Sequence, residues 1–158
     1  EQAEKDRALL GNPEVPMNDC CSQKEFLAHA AIDATRKLGV AGIITDSETG
    51  ETACNLASFR GPNPVLAICY REKTQRWLNL SYGVIPVYQK EHTSSEHMFT
   101  AALRMLRQKH YIELDDKIAY LSGSFGERGG TTFLEINSVR QVFDKSYEFH
   151  LPQHVERK

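Results

Sequence analysis

The chain has 158 residues, of which 41% are apolar and 25% charged, and its formal net charge is −2 at pH 7. This length suits one domain with a substantial hydrophobic core. The nearly balanced charge offers no electrostatic attraction for nucleic acid or for an anionic membrane, so neither partner is expected.

Cysteine usage and the charge of the first residues bear on location. Cys20, Cys21, Cys54 and Cys69 match neither a disulfide framework nor the spacing of a zinc site, which favours a reducing compartment. No apolar run approaches the ~20 residues that cross a bilayer, and the first ten residues are too charged for a signal peptide. We expect a cytoplasmic protein. The sequence begins inside a helical pattern without methionine, so we also expect a piece of a longer chain.

The first half of the chain alternates helical and strand patterns. Ser22-x-x-Glu25 has the spacing of a capping box and precedes an apolar helical stripe that stops at Gly39. Pro86 cannot donate to a strand ladder, which places its strand at a sheet edge. The elements predicted in order are helix 22–38, strand 43–44, helix 53–60, strand 65–69, a short helix through 77–80 and strand 82–88.

The second half changes its rhythm. Thr93-x-x-Glu96 opens a long helix, and a fourth strand is predicted over 117–122. Only nine residues, "GSFGERGG" and Thr131, separate it from an alternating strand over 132–139, which is too short a connection for a parallel crossover. The last strand is therefore expected antiparallel to the fourth. Residues 140–158 show no clear period and are interpreted as packing or disordered.

These elements predict an α/β fold of three layers, α/β/α, around a mixed five-stranded sheet. Right-handed crossovers, with the third and fifth strands at the edges, favour the strand order 3-2-1-4-5. Ligands of such sheets bind at the carboxyl ends of the strands where the order reverses. Those ends carry "TDSETGETA", residues 45–53, and "SGSFGERGG", residues 122–130.

The stretch "TDSETGETA" has two readings. Free N–H groups at a helix start, with the hydroxyls of Ser47, Thr49 and Thr52, favour an anion. Three carboxylates crowd the same turn and already complement the helix dipole, which makes a simple helix cap at least as favourable. The carboxylates are those of Asp46, Glu48 and Glu51. Since the turn lacks a Walker lysine, nucleotide hydrolysis is not expected.

No catalytic residue, metal site or cofactor is predicted within the chain. His92 and His97 have a spacing that does not share a helical face, and the other histidines form no ligand pattern. The pair Cys20-Cys21 has no base nearby in sequence to activate a thiol.

The order of motifs resembles the C-terminal domain of pyruvate kinase, from about Gln23 to Val139. The helix "HAAIDATRKLGVAGII" is followed by "SETGETA" in the place of the family's T-x-S-G-x-S/T-A effector turn. "SFRGPNPVLAIC" is similar to R-Y-R-P-x-x-P-I-I-A-V, and "YGVIPV" to G-V-x-P-V. "DKIAYLSGSFGERGGTTFLEI" is similar to the family's closing Gly-rich loop and last strand. The five in this order make the resemblance specific.

The resemblance implies a fold and a parent activity. The fold is the same 3-2-1-4-5 sheet with an antiparallel last strand. Pyruvate kinases transfer phosphate from phosphoenolpyruvate to ADP with Mg²⁺ and K⁺, and their catalytic and metal-binding residues belong to a barrel domain N-terminal to this one. The chain is thus expected to be a noncatalytic regulatory and assembly part of a homotetramer.

Site residues follow from the resemblance position by position. The effector turn, which holds a phosphoryl group of a sugar phosphate in many members, falls on Ser47, Glu48, Thr49, Gly50, Glu51 and Thr52. The second effector loop falls on 124–130 and includes Arg128 and Gly129. Glu51 stands where sugar-bisphosphate-regulated members often have a basic residue. Arg128 and Arg60 are the cations expected to offset it.

The last strand is expected at a subunit interface, as in the resembling family. Its only charge is Glu135, while Phe133 and Ile136 add apolar surface to an edge that no proline interrupts. Alternatively, the tail folds over this edge within one chain.

We therefore divide the chain into an N-terminal helix and linker from a preceding domain over 1–22, an α/β domain over 23–139 and a tail over 140–158. The alternative to a pyruvate kinase domain is a free-standing α/β domain that senses a small molecule.

Overall fold

The computed structural model describes residues 21–90, 95–123 and 130–148. The elements within these ranges are α1 (Gln23–Lys37), β1 (Gly42–Ser47), α2 (Glu51–Ser58), β2 (Val65–Cys69), α3 (Glu72–Leu78), β3 (Val84–Tyr88), α4 (Ser95–Gln108), β4 (Lys117–Ser122), β5 (Phe133–Ser138) and α5 (Val139–Glu148).

The five strands form one sheet of order β3-β2-β1-β4-β5. β1 pairs in parallel with β2 and with β4, and β2 pairs in parallel with β3. β5 is antiparallel to β4, with Phe133 opposite Ser122 and Ser138 opposite Lys117. The predicted strand order, the antiparallel last strand and the edge position of the strand that contains Pro86 are confirmed.

Two hydrophobic clusters on opposite faces of the sheet make the three layers. The first packs α1, α2 and α3 against the sheet, and the second packs α4 and α5 against the other face. Ile43 belongs to the first cluster and Ile44 to the second, both fully buried, because successive side chains of a strand point to opposite faces.

The capping box predicted for α1 is present. The backbone N–H of Ser22 donates to the Glu25 carboxylate at 2.8 Å, and the Glu25 N–H donates back to the Ser22 hydroxyl at 3.3 Å. These hydrogen bonds favour the ionised carboxylate and lower the pKa of Glu25. The helix therefore begins at a well-defined residue.

Helix α5 was not predicted. Ser138 and Gln141 form a capping pair, in which the Ser138 N–H donates to Gln141 Oε1 and the Gln141 N–H donates to Ser138 Oγ, each at 3.2 Å. Val139, Val142 and Phe143 then pack on the second cluster. Both the S-x-x-Q motif and this apolar spacing are sequence signals of a helix, in a segment for which the sequence predicts only the end of a strand and a tail that packs or is disordered.

Candidate functional site

The turn between β1 and α2 lies at the point where the strand order reverses. β1 lies between β2 and β4. The connection from β1 to β2 runs through α2 on one face of the sheet, and the connection that enters β4 runs through α4 on the opposite face. β1 ends at Ser47 and α2 begins at Glu51, so the turn occupies the carboxyl end of the central strand. This is the position at which sheets of this class bind ligands.

The turn is held by its own hydroxyls. Ser47 Oγ accepts from the Gly50 N–H at 2.6 Å, and Thr49 Oγ1 accepts from the Glu51 N–H at 3.4 Å. From α3, the buried Thr74 hydroxyl donates to the Glu48 carbonyl at 2.6 Å. The hydroxyls of Ser47 and Thr49, predicted as ligand donors, are therefore engaged as acceptors for the turn's backbone.

Gly50 is the N-cap of α2 and adopts a left-handed conformation, with φ of 89°. Its lack of a side chain serves two purposes. A Cβ would be strained at this φ, and it would come within 2.6 Å of Cζ3 of Trp77. The half-exposed indole thus lies directly over the turn. Because glycine offers no side-chain oxygen, the N-cap residue itself makes no side-chain hydrogen bond to the first turn of this helix.

Two of the three carboxylates around the turn form ion pairs. Lys24 Nζ of α1 lies 2.7 Å from Glu51 Oε1, and Arg71 Nη2 lies 3.8 Å from Glu48 Oε2. Neither cation was predicted from sequence. Arg60, which was, follows the far end of α2 and lies over the ring of Tyr82 at 4.3 Å. Arg128 and Gly129 lie outside the described residues.

A carboxyl–hydroxyl pair lies at the carboxyl ends of β1 and β4, on the face of the sheet opposite α2. Ser122 Oγ at the end of β4 donates to Asp46 Oδ1 at 2.5 Å. Burial raises the pKa of Asp46, although the hydrogen bond from Ser122 opposes that shift. Tyr120 lies close by, stacks on Phe99 at 4.0 Å between ring centroids, and has its pKa raised by burial and by the Asp46 charge.

A hydroxyl contact joins α2 to the segment that precedes β5. The hydroxyls of Thr52 and Thr131 are 2.9 Å apart, and Thr131 is buried. Sequence reasoning named Thr52 but not its partner, which is 79 residues away along the chain.

The three residues predicted at an interface lie on β5, at the edge of the sheet. Phe133 and Ile136 are half-buried, and they pack against the second and the first cluster respectively. Both side chains therefore contribute to the core, and their role at an interface stays a prediction. Glu135 is exposed, and its carboxylate accepts from the side-chain amide of Asn137.

Comparison with known proteins gives the family of this fold. The family model described as pyruvate kinase, alpha/beta domain, matches residues 25–137. The chain belongs to the pyruvate kinase α/β domain family.

Curated relatives of this pyruvate kinase domain are whole enzymes. The pyruvate kinase of Borreliella burgdorferi is 28% identical over 145 residues, which cover 90% of the chain and 30% of that protein. That of Bacillus licheniformis is 28% identical over 121 residues, which cover 77% of the chain and 20% of that protein. The chain thus spans 20–30% of the length of the curated relatives it matches.

A solved structure shows the same fold. Cryptosporidium parvum pyruvate kinase in complex with ADP superposes with a TM-score of 0.69 at 22% sequence identity. The match covers 78% of this chain and 25% of the other.

Three further observations concern the chemistry of this pyruvate kinase α/β domain. Cys21, Cys54 and Cys69 are free thiols, and burial raises the pKa of Cys69 to about 11. No group of three or more His, Cys, Asp or Glu side chains in the described ranges is arranged to hold a metal ion. Nor does any helix in those ranges have the length and apolarity to cross a membrane.

Proposed function

We propose that the chain is the regulatory and assembly domain of a cytoplasmic pyruvate kinase and is noncatalytic by itself. The observation that carries this proposal is the match of a single domain family over 25–137 in a chain that spans 20–30% of its relatives. The parent enzyme would transfer phosphate from phosphoenolpyruvate to ADP in glycolysis. An N-terminal barrel domain would bind the substrates, Mg²⁺ and K⁺.

The regulatory part of the proposal concerns the turn Ser47–Thr52. The start of α2, whose N-cap glycine makes no side-chain hydrogen bond, supplies N–H groups and the positive end of the helix dipole, both of which favour a phosphoryl group. Lys24 and Arg71 are within reach of the turn as cations. Both already contact carboxylates, so a phosphorylated metabolite must compete with Glu51 and Glu48. We therefore expect weak binding by the unmodified domain.

The assembly part of the proposal concerns β5. No described strand pairs with its outer edge, and edge strands expose backbone groups that partners can cover. A second copy of the domain would extend the sheet across a two-fold axis, as one contact of a homotetramer.

Two measurements test the noncatalytic and the regulatory parts of the proposal. The purified domain should form no pyruvate from phosphoenolpyruvate and ADP, and a measurable turnover would overturn the noncatalytic claim. In an NMR titration with inorganic phosphate and then with a sugar bisphosphate, the amides of Gly50, Glu51, Thr52 and Ala53 should shift at millimolar concentrations. If these amides did not move, the turn would be only a helix cap.

Membership of a larger enzyme is tested separately. The reading frame that encodes Glu1 should continue upstream into a barrel sequence with a Lys-x-Glu metal-site strand. A start codon close to Glu1 would favour a free-standing domain instead.

A further inference from the structure

The connection between β4 and β5 is closed at its base. The Thr132 N–H donates to the Ser122 carbonyl at 2.9 Å, and a Cβ on Gly123 would overlap the carbonyl oxygen of Gly130. The backbone therefore leaves β4 and returns to β5 through one narrow neck, formed by Ser122, Gly123 and residues 130–132. Glycine is required at 123 because the two backbones touch there.

The neck is held from both faces of the sheet. On the α4 face Ser122 donates to Asp46, the penultimate residue of β1. On the α2 face Thr131 contacts Thr52, the second residue of α2. The two contacts therefore tie the neck to residues on either side of the turn 47–50.

Thr131 is also close to the start of the edge strand. Phe133, two residues further on, is the first residue of β5 and lies opposite Ser122. At about 3.3 Å per residue, a displacement of Thr131 acts on Phe133 over less than 10 Å of extended chain. A movement at the start of α2 therefore has a short covalent path to the edge of the sheet.

We infer that the Thr52–Thr131 hydroxyl contact is a positioning link that makes the first residues of β5 follow the start of α2. Thr131 is buried, so its hydroxyl cannot exchange its partner for bulk water without local opening. The inference builds on the proposed function, in which the linked ends are the effector turn and the assembly strand, but the link itself requires no ligand.

Amide hydrogen exchange of the Thr132 N–H measures the link directly, because this group bonds to Ser122 across the neck. Thr52→Val and Thr131→Val keep the side-chain shape and remove one hydroxyl each. Each variant should accelerate exchange at Thr132 about fivefold, as expected for one lost hydrogen bond. The double variant should exchange no faster than the single variants, since both remove the same contact. Ser58→Ala, which removes a hydroxyl bond to the Asn55 carbonyl at the far end of α2, is the control and should leave Thr132 unchanged.

Two results would overturn the link. One is unchanged exchange at Thr132 in Thr52→Val, and the other is an additive effect in the double variant.

A ligand arm separates this inference from the proposed function. In the unmodified domain, inorganic phosphate that shifts the amides of 50–53 should slow exchange at Thr132. In Thr131→Val, which lacks the link but keeps every residue of the turn, phosphate should shift the same amides without slowing Thr132. Equal slowing in both proteins would overturn the link. If phosphate shifted no amide of the turn, the effector proposal would fail, and the variant series would still decide the link.

Discussion

The indole of Trp77 packs directly against the backbone of Gly50, so that α3 closes the outer side of the turn at the start of α2. This contact and the left-handed φ of Gly50 both exclude a side chain at that position. The turn therefore depends on glycine for two separable reasons, conformation and space.

Replacing Gly50 by alanine should destabilise the domain by roughly 2–4 kcal/mol, from a strained φ and an overpacked contact with Trp77. Gly39→Ala is the matched control, because Gly39 has φ of 65° and nothing within 4 Å of an added Cβ. It should cost only roughly 1 kcal/mol. Urea unfolding followed by circular dichroism gives both values. Equal losses would mean that the indole moves aside without cost.

Asp46 should oppose folding at neutral pH. Its pKa is raised in the folded state by burial, so the folded protein holds this proton more tightly than the unfolded chain does. Asp46 therefore contributes most to the free energy of unfolding while its carboxyl is protonated. This contribution is lost as pH rises from the unfolded pKa, about 3.9, through the folded value. Asp46→Asn removes the charge and keeps an oxygen that can accept from Ser122.

We expect Asp46→Asn to raise the free energy of unfolding at pH 7.5, and to raise it less at pH 4.5. Urea titrations of both proteins at the two pH values measure the difference. The same gain at both pH values, or a loss at pH 7.5, would contradict a charge effect.

Glu51 should limit the affinity of the turn for phosphate. Glu51→Gln releases Lys24 and removes one repulsive charge, so phosphate should bind about fivefold more tightly. Glu51→Arg, which adds a donor, should bind more tightly still. Glu72→Gln is the matched control, since Glu72 also lies in the first turn of a helix and pairs with Arg76 at 3.3 Å. Calorimetry measures the affinity for phosphate. Equal affinities of Glu51→Gln and Glu72→Gln would show that the turn only caps the helix.

Self-association through β5 is best tested at Glu135, because Phe133 contributes to the core. Its ring meets the ring of Tyr120 in a T-shaped contact, with 5.7 Å between the ring centroids. Glu135→Lys places a lysine on the edge strand, where lysine commonly prevents strand pairing. Sedimentation at micromolar concentration should show a dimer for the unmodified domain and a weaker one for the variant. Thermal unfolding serves as the control for an intact fold. A monomer in both cases would exclude this interface.

The sheet could be predicted because its signals are local. The continuous apolar run 65–69 is buried on both faces, and Pro86 marks the edge at which β3 is found. β1 was predicted too short, as 43–44, because Thr45 and Asp46 are polar. Thr45 is nevertheless fully buried, and the strand extends to Ser47.

The contacts around the turn were beyond prediction for the opposite reason. Lys24 and Glu51 are 27 residues apart, and Asp46 and Ser122 are 76 apart. Such pairs form only after the helices and strands have packed, and a single sequence carries no periodic signal for them. The turn itself was located correctly, while the partners that neutralise it were found only in the structure.

Trp77 is the only tryptophan of the chain. Because its half-exposed ring rests on Gly50, its fluorescence emission should report the local state of this turn, while circular dichroism reports the helices as a whole. Unfolding curves from the two probes coincide only if the turn opens together with the rest of the domain. The protein thus contains an intrinsic optical probe at its candidate ligand site, and a midpoint that is lower by fluorescence than by circular dichroism would reveal local opening without any label.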